Sequence, residues 1–266
     1  MLHLLGTTAF SFLVLAAVFW PLEKLFPARA GQPWLRPRIV TDVAFFLGQY
    51  LLWGTLVLAA LELTEHAFAS ALPGAWRALV GAQPRWLQAL EVLLLCDVGV
   101  YWFHRACHHF DFLWRFHAVH HSAEHLDWVA AHREHPIDGL ATQLVCNVPA
   151  FALGFPMETL AAVIALRSMW GIFIHSNVRL PLGPLRVLLG SPQLHHWHHA
   201  RLRSTTQNFA NLAPWVDVVF GTYHHPKAGE AYPIGLTEPF PKSWLGQLLH
   251  PLRVRPASAL REEKSA

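Results

Sequence analysis

The chain has 266 residues, 53% of them hydrophobic and only 14% charged, a balance that excludes disorder and falls well below the roughly 25% charge of soluble domains. A formal charge of +3 spread along the chain is too mild for a nucleic-acid-binding surface, and three cysteines (Cys96, Cys107, Cys146) supply neither a disulfide framework nor a four-cysteine zinc site. The composition fits reduced thiols in or beside a membrane, yet 19 histidines outnumber the 17 acidic residues, which neither packing nor solubility requires.

A membrane-crossing helix needs about 20 mostly apolar residues. Leu4 to Trp20 qualifies and carries no charge. Ala28-Arg29-Ala30 imitates a signal-peptide cleavage site, but no basic region precedes the apolar run and bulky Trp20, Pro21 and Phe26 intervene, so the segment is read as a retained span. Val43 to Leu61 is the cleanest span, with Gln49 its only strongly polar side chain, and Trp86 to Phe103 is apolar around Glu91 and Asp97. Leu140 to Ile174 reads as a helical hairpin broken at Gly154-Phe155-Pro156 and interrupted by Glu158 and Arg167; hydropathy fits either full crossing or a dip and return.

Lys24, Arg29, Arg36 and Arg38 crowd the first loop, whereas Glu62 to Arg85 holds only Arg77 and Arg85, which makes the first loop cytoplasmic. By parity the third span returns to that side just as His104 appears, and a hairpin begins and ends there. No internal repeat is evident. Residues 1–252 are expected to form a single membrane-embedded domain, and 253–266 a frayed, solvated tail.

Sixteen of the 19 histidines lie between His104 and His225. Three groups have helical metal-ligand spacing: His104 and His108; His117, His120 and His121; His195, His198 and His199. Residues three and four apart share a helix face, so each group can aim its imidazoles into one space. Eight imidazoles are too many for one tetrahedral zinc, and two metals are the natural count. Imidazole suits iron, zinc, copper and nickel alike. A redox pair open to lipid on one side suits oxygen chemistry on an acyl chain or sterol.

His175 and His135 stand where apolar arms meet the cytoplasmic boundary and join the candidate metal ligands; His132 ranks below both. His109, His125, His196, His224 and His225 fall off the spacing and are assigned to surface or supporting roles. Asp97 shares a helix stripe with Tyr101, His104 and His108, at offsets of 4, 7 and 11. It either orients His104, as carboxylates orient metal-bound imidazoles, or pairs with Arg105 or another polar helix neighbour. Cys107 turns away from that face and reads as a packed residue.

Together these groups resemble the fatty acid hydroxylase and sterol desaturase superfamily of integral-membrane di-iron proteins. The resemblance runs from Asp97 to Tyr223, through His135-Pro136, Phe173-Ile174-His175-Ser176-Asn177, Asn208, Trp215-Val216-Asp217 and Phe220-Gly221-Thr222-Tyr223. It implies an all-α membrane anchor capped on the cytoplasmic side by helices bearing the histidines, two iron ions, and dioxygen-dependent hydroxylation or desaturation of a lipid C–H bond. It places the protein in the cytoplasmic membrane of a bacterium or the endoplasmic reticulum of a eukaryote. Two departures stand out. Fatty acid hydroxylating members can carry a further histidine where this sequence has Gly171. The His-Pro-Gly-Gly haem signature of fused cytochrome b5 domains does not occur here, so electrons are expected from a separate donor of the cytochrome b5, ferredoxin or reductase type.

Three other classes compete. A zinc or copper transporter, or a metal-binding protein, could use the same imidazoles, but transport predicts ionisable groups near the bilayer midplane rather than flanking the spans. A bis-histidine haem protein needs fewer ligands. A zinc protease would need His-Glu-x-x-His, a string absent from the sequence.

Overall fold

Apolar runs of the length described above fold as helices because a bilayer offers the backbone no other hydrogen-bond partners. The structure is a computed structural model that describes residues 2–201, 206–227, 230 and 232–253. Among these residues four helices are long and apolar enough to cross a membrane: Leu2–Leu25, Ile39–Ala71, Arg85–His109 and Met157–His175. The first is α1. The second joins α2 (Ile39–Gly48) to α3 (Gly54–Ala71) through a single widened turn at Gln49–Trp53. The third and fourth are α5 and α8. No more than a third of each apolar window is buried inside the protein, and Phe10, Leu13, Leu56, Leu90 and Leu166 stand exposed, as lipid-facing side chains should. The chain is all-helical among the described residues, with only isolated bridge pairs and no strand.

Shorter helices connect and cap the spans. Helix α4 (Gly74–Gly81) lies between α3 and α5, α6 (Asp111–His121) follows α5, and α7 (Pro136–Ala152) precedes α8. The hairpin read from hydropathy is therefore α7 and α8, and the turn between them places Gly154 at φ 90°, where a side chain would be strained. Helices α9 (Pro192–His198), α10 (Trp215–Val219) and α11 (Trp244–Leu248) belong to the cap.

Two apolar cores hold the bundle. Leu61, Val92, Cys96, Val100, Cys146, Phe151, Leu160 and Val163 pack α3, α5, α7 and α8 together. Leu15, Phe19, Phe46, Trp128 and Ile172 join α1 and α2 to α8 and the loop before α7. Within the first of these layers Asp97 of α5 pairs with Arg167 of α8, so two of the four ionisable residues that interrupted the predicted spans meet each other.

The first loop packs against the same end of the bundle as the histidines. Arg36 grips Asp127 through Nη2–Oδ1 (2.6 Å) and Asp42 through Nη1–Oδ2 (2.7 Å), while buried Arg133 shares Asp42. Glu23 accepts backbone N–H groups from Trp128 and Asn177. First loop and histidine segments thus occupy one face, as the parity of the spans required. The expected tail lies outside the described residues apart from Arg253.

Candidate metal centre

Four pieces of backbone deliver the imidazoles: the last turns of α5 (His104, His108), the second half of α6 (His117, His120, His121), the end of α8 (His175) and α9 with the residue that ends it (His195, His198, His199). Helix α9 starts from Ser191, whose hydroxyl accepts the Leu194 N–H. Just before it, Gly190 passes so close to the Asn211 carbonyl that a Cβ would lie 1.8 Å from its oxygen, which sets α9 against the following loop.

These side chains gather into two adjoining sites. In site A, His104, His108, His117, His121 and His198 bring ligand nitrogens within 4.8 Å of one another; in site B, His120, His175, His195 and His199 do the same. The sites touch where the His121 and His199 rings stack at 4.3 Å. The predicted groups are divided rather than kept whole: His120 serves B while His121 serves A, and His198 serves A while His199 serves B. Helix geometry accounts for this. Residues at i and i+4 stay within about 40° of each other around the axis, whereas i+3 swings about 60° the other way, so a consecutive pair diverges by about 100°. His104 with His108, His117 with His121 and His195 with His199 are the i, i+4 pairs, and each stays within one site.

Hydrogen bonds to the far ring nitrogens set the tautomers. Nδ1 of His104 donates to the Phe209 carbonyl (2.8 Å), Nδ1 of His198 to the Gln207 carbonyl (2.8 Å), and Nδ1 of His117 meets Asp138 Oδ2 (2.8 Å). Each Nε2 in these rings then carries a lone pair into site A. All five Nε2 atoms of site A are buried without a hydrogen-bond partner among the described residues. Site B makes the same demand more sharply. Nδ1 of His120 donates to the Arg133 carbonyl (3.1 Å) and Nδ1 of His175 to the Gly171 carbonyl (2.6 Å), which leaves two Nε2 lone pairs facing each other at 3.0 Å. His195 Nε2 lies 2.9 Å from the same His175 atom. Lone pairs at such distances repel unless a cation stands among them. Burial pushes His120 down to about 4 and His198 to about 3, and holds His121, His195 and His199 well below the ordinary imidazole range, so these rings are neutral near pH 7. Neutral imidazole is the ligand form. The residues fit a pair of metal ions.

Two supports, Asp138 and Arg133, escaped the sequence reading, and a third, Asp217, was named there without a role. Asp138, in the first turn of α7, orients His117, and Cys107 lies against its other oxygen (3.9 Å). Arg133 offers its carbonyl to His120 while its guanidinium is tied to Asp42 and Ser122. Asp217 accepts the Phe209 and Ala210 N–H groups (2.8 and 2.9 Å) and the Thr222 hydroxyl (2.8 Å), fixing the carbonyl that holds His104. Asn208, at φ 59°, uses its side-chain amide to clamp Leu194 and His224 to the same loop. Asp138→Asn is expected to weaken metal binding at site A about 10- to 100-fold, measured by competition with a chelator; unchanged affinity would make the aspartate a helix-start residue only.

Two of the sequence candidates lie outside both clusters. His135 joins neither site: it caps α7, its Nδ1 accepting the Ile137 N–H (3.2 Å) and its Nε2 facing the Leu248 carbonyl (3.1 Å). Both ring nitrogens are thereby occupied by backbone, and His135→Ala should leave the metal content per chain unaltered in elemental analysis. Asp97 does not orient His104. Seven residues separate them, about 10.5 Å of helix rise, beyond the reach of a carboxylate; Arg167 takes Asp97 and Phe209 takes His104. His196, left out of the candidate ligands by its spacing, bonds the carbonyls of His175 and Ser176 and holds the end of α8 to α9.

The sequence pattern of the family described as Fatty acid hydroxylase matches residues 89–222. Ornithine lipid hydroxylase of Rhizobium tropici is 34% identical over 172 residues, covering 63% of this chain and 52% of that protein. Human alkylglycerol monooxygenase is 33% identical over 144 residues, 54% of this chain and 32% of its own length. Delta(7)-sterol-C5(6)-desaturase of Nicotiana tabacum is 31% identical over 151 residues, with 54% and 52% covered. The chain thus spans about half or less of the length of these curated relatives. No solved structure matches it.

Proposed function

The chain belongs to the fatty acid hydroxylase family, and from that premise we propose that it is a membrane di-iron oxygenase that hydroxylates or desaturates a C–H bond of a lipid. The observation that carries the reading is the pair of adjoining imidazole sites, whose inward lone pairs at hydrogen-bond distance call for two cations. The proposed ligands are His104, His108, His117, His121 and His198 at one ion and His120, His175, His195 and His199 at the other. Iron bound there would supply reductive activation of dioxygen and removal of hydrogen from an unactivated carbon. In balance, a C–H bond, one dioxygen, two electrons and two protons give an alcohol and one water; desaturation gives an alkene and two waters.

The chain's own part is positioning and exclusion. Asp138, Phe209, Gln207, Arg133 and Gly171 hold five imidazoles by their outer nitrogens, so the inner nitrogens need no rearrangement to bind metal. Burial keeps water away from a strong oxidant. The substrate is proposed to enter from the bilayer, since names of relatives in the family include lipid hydroxylases, a monooxygenase of alkylglycerol and sterol desaturases. Electrons are proposed to come from a donor outside these 266 residues, and the arginine- and lysine-rich first loop supports a cytoplasmic cap. Residues 1–252 are taken as one membrane-embedded domain.

The metal transporter alternative fits less well, because the sites lie where α5 and α8 end rather than midway along the spans. Elemental analysis of detergent-purified protein expressed with ample iron is expected to give about two irons per chain. Lipid extracts of expressing cells should then contain a species heavier by one oxygen or lighter by two hydrogens. One metal per chain, or none, would overturn the paired centre.

A further inference from the structure

A cavity of about 450 Å³ opens beside site A, within the range of cavities that hold small ligands. Trp102, Ala106, Phe110 and Phe209 give it apolar walls, and His108 of site A contributes to its lining. The Phe209 ring lies 5.4 Å from His108 and 5.6 Å from His104, so Phe209 and His108 together form the wall between the cavity and site A. Among the described residues one permanent charge lines the same space: Arg105.

The surroundings of Arg105 leave its charge unspent. It donates to the Tyr101 hydroxyl (3.0 Å) and lies over the Trp102 ring (5.5 Å), both neutral groups. Among the described residues no carboxylate forms an ion pair with it. Asp217, which feels its field, is committed to the Phe209 and Ala210 N–H groups and the Thr222 hydroxyl. A guanidinium over an aromatic ring and lacking a carboxylate is a ready partner for a planar carboxylate or a phosphate.

We propose that this cavity receives an anionic amphiphile, with its carboxylate or phosphate on Arg105 and the adjoining chain against Trp102, Phe110 and Phe209. Arg105 and His108 line the same cavity, so a headgroup bound at Arg105 leaves the carbons nearest it to lie beside site A. The C–H bond oxidised is therefore within the first few carbons of the headgroup rather than in mid-chain. This inference rests on the oxygenase reading and deepens it by naming the substrate class and the end of the molecule that reacts.

The test measures equilibrium binding of radiolabelled hexadecanoate, hexadecyl phosphate and hexadecanol to the full chain in detergent, with metal content determined on each sample. Wild-type protein should bind one or both anions about tenfold tighter than the alcohol. Preference for the carboxylate alone points to a free acyl chain, and for the phosphate to a phospholipid headgroup. Arg105→Gln should bring all three within twofold, Arg105→Lys should restore part of the preference, and Ala106→Phe should weaken all three alike by filling the cavity. Equal binding of acids and alcohol by wild type, or a preference that survives in Arg105→Gln, would overturn the proposal. With reductant and dioxygen, fragmentation mass spectrometry should place the new oxygen near the headgroup; mid-chain oxygen would overturn the placement. Two irons per chain without headgroup preference defeats this inference alone, whereas headgroup preference without metal defeats the oxygenase reading instead.

Discussion

His120→Ala and His121→Ala, one residue apart on α6, are expected to remove different metals. The first takes a ligand from site B and the second from site A, because the two rings diverge around the helix axis and reach separate clusters. Each variant should lose about half of the bound metal and all detectable lipid product. The loss of affinity at the affected site should exceed the roughly 10- to 100-fold typical of changing an outer hydrogen-bond partner. Membrane insertion should persist, since the apolar spans carry it and α6 is not among them. His196→Gln provides the contrast: it lies in the same sequence group as His195, yet its contacts are the carbonyls of His175 and Ser176. It should keep both metals. If instead His120→Ala and His121→Ala each empty both sites, the ions depend on one another and the division into two separate sites fails as a description of binding.

That contrast shows which parts of the centre could be read from residue spacing. A spacing of four on a helix puts two imidazoles over one another whatever the tertiary context, and every such pair does share a site. Spacing says nothing of where a second helix points, so the partition of His120 from His121 and of His198 from His199 appears only when α5, α6, α8 and α9 are packed. The apolar spans were legible for a similar reason: hydropathy is a local property, and among the described residues the four long helices cover the first three runs it marked and the second arm of the hairpin, whose first arm is the shorter α7. His135 misled because a histidine before proline at a helix start looks the same whether it caps the helix or binds a metal. Asp138 was passed over because an acidic residue in a first turn has an ordinary explanation in the helix dipole. Its role depends on His117, 21 residues earlier in the chain and brought to it only by the packing of α6 against α7.

Asp97→Leu is expected to destabilise the protein severely, and Arg167→Met likewise, while the double variant recovers most of the loss. Asp97 is 1% exposed and its carboxylate meets the Arg167 guanidinium between α5 and α8, deep among apolar side chains. Removing one partner strands the other charge where neither water nor a counter-ion can reach it, at a cost of about 3–5 kcal/mol; replacing both by apolar side chains of similar volume removes the attraction and the desolvation together and is often neutral. Thermal unfolding in detergent across the four proteins of the cycle measures the coupling directly. Metal content separates this account from a ligand-orienting one. If Asp97 only clamps α5 to α8, the double variant should hold as much metal per folded chain as the parent, since His104 keeps its bond to the Phe209 carbonyl. Restored stability with lost metal would instead mean that the ion pair, through the position it gives the end of α5, sets the geometry of site A. An ionisable residue within a membrane helix is a reasonable functional candidate because it is costly to keep there. Here a second ionisable residue on the neighbouring helix already offsets that cost, which leaves the chemistry to the imidazoles at the helix ends.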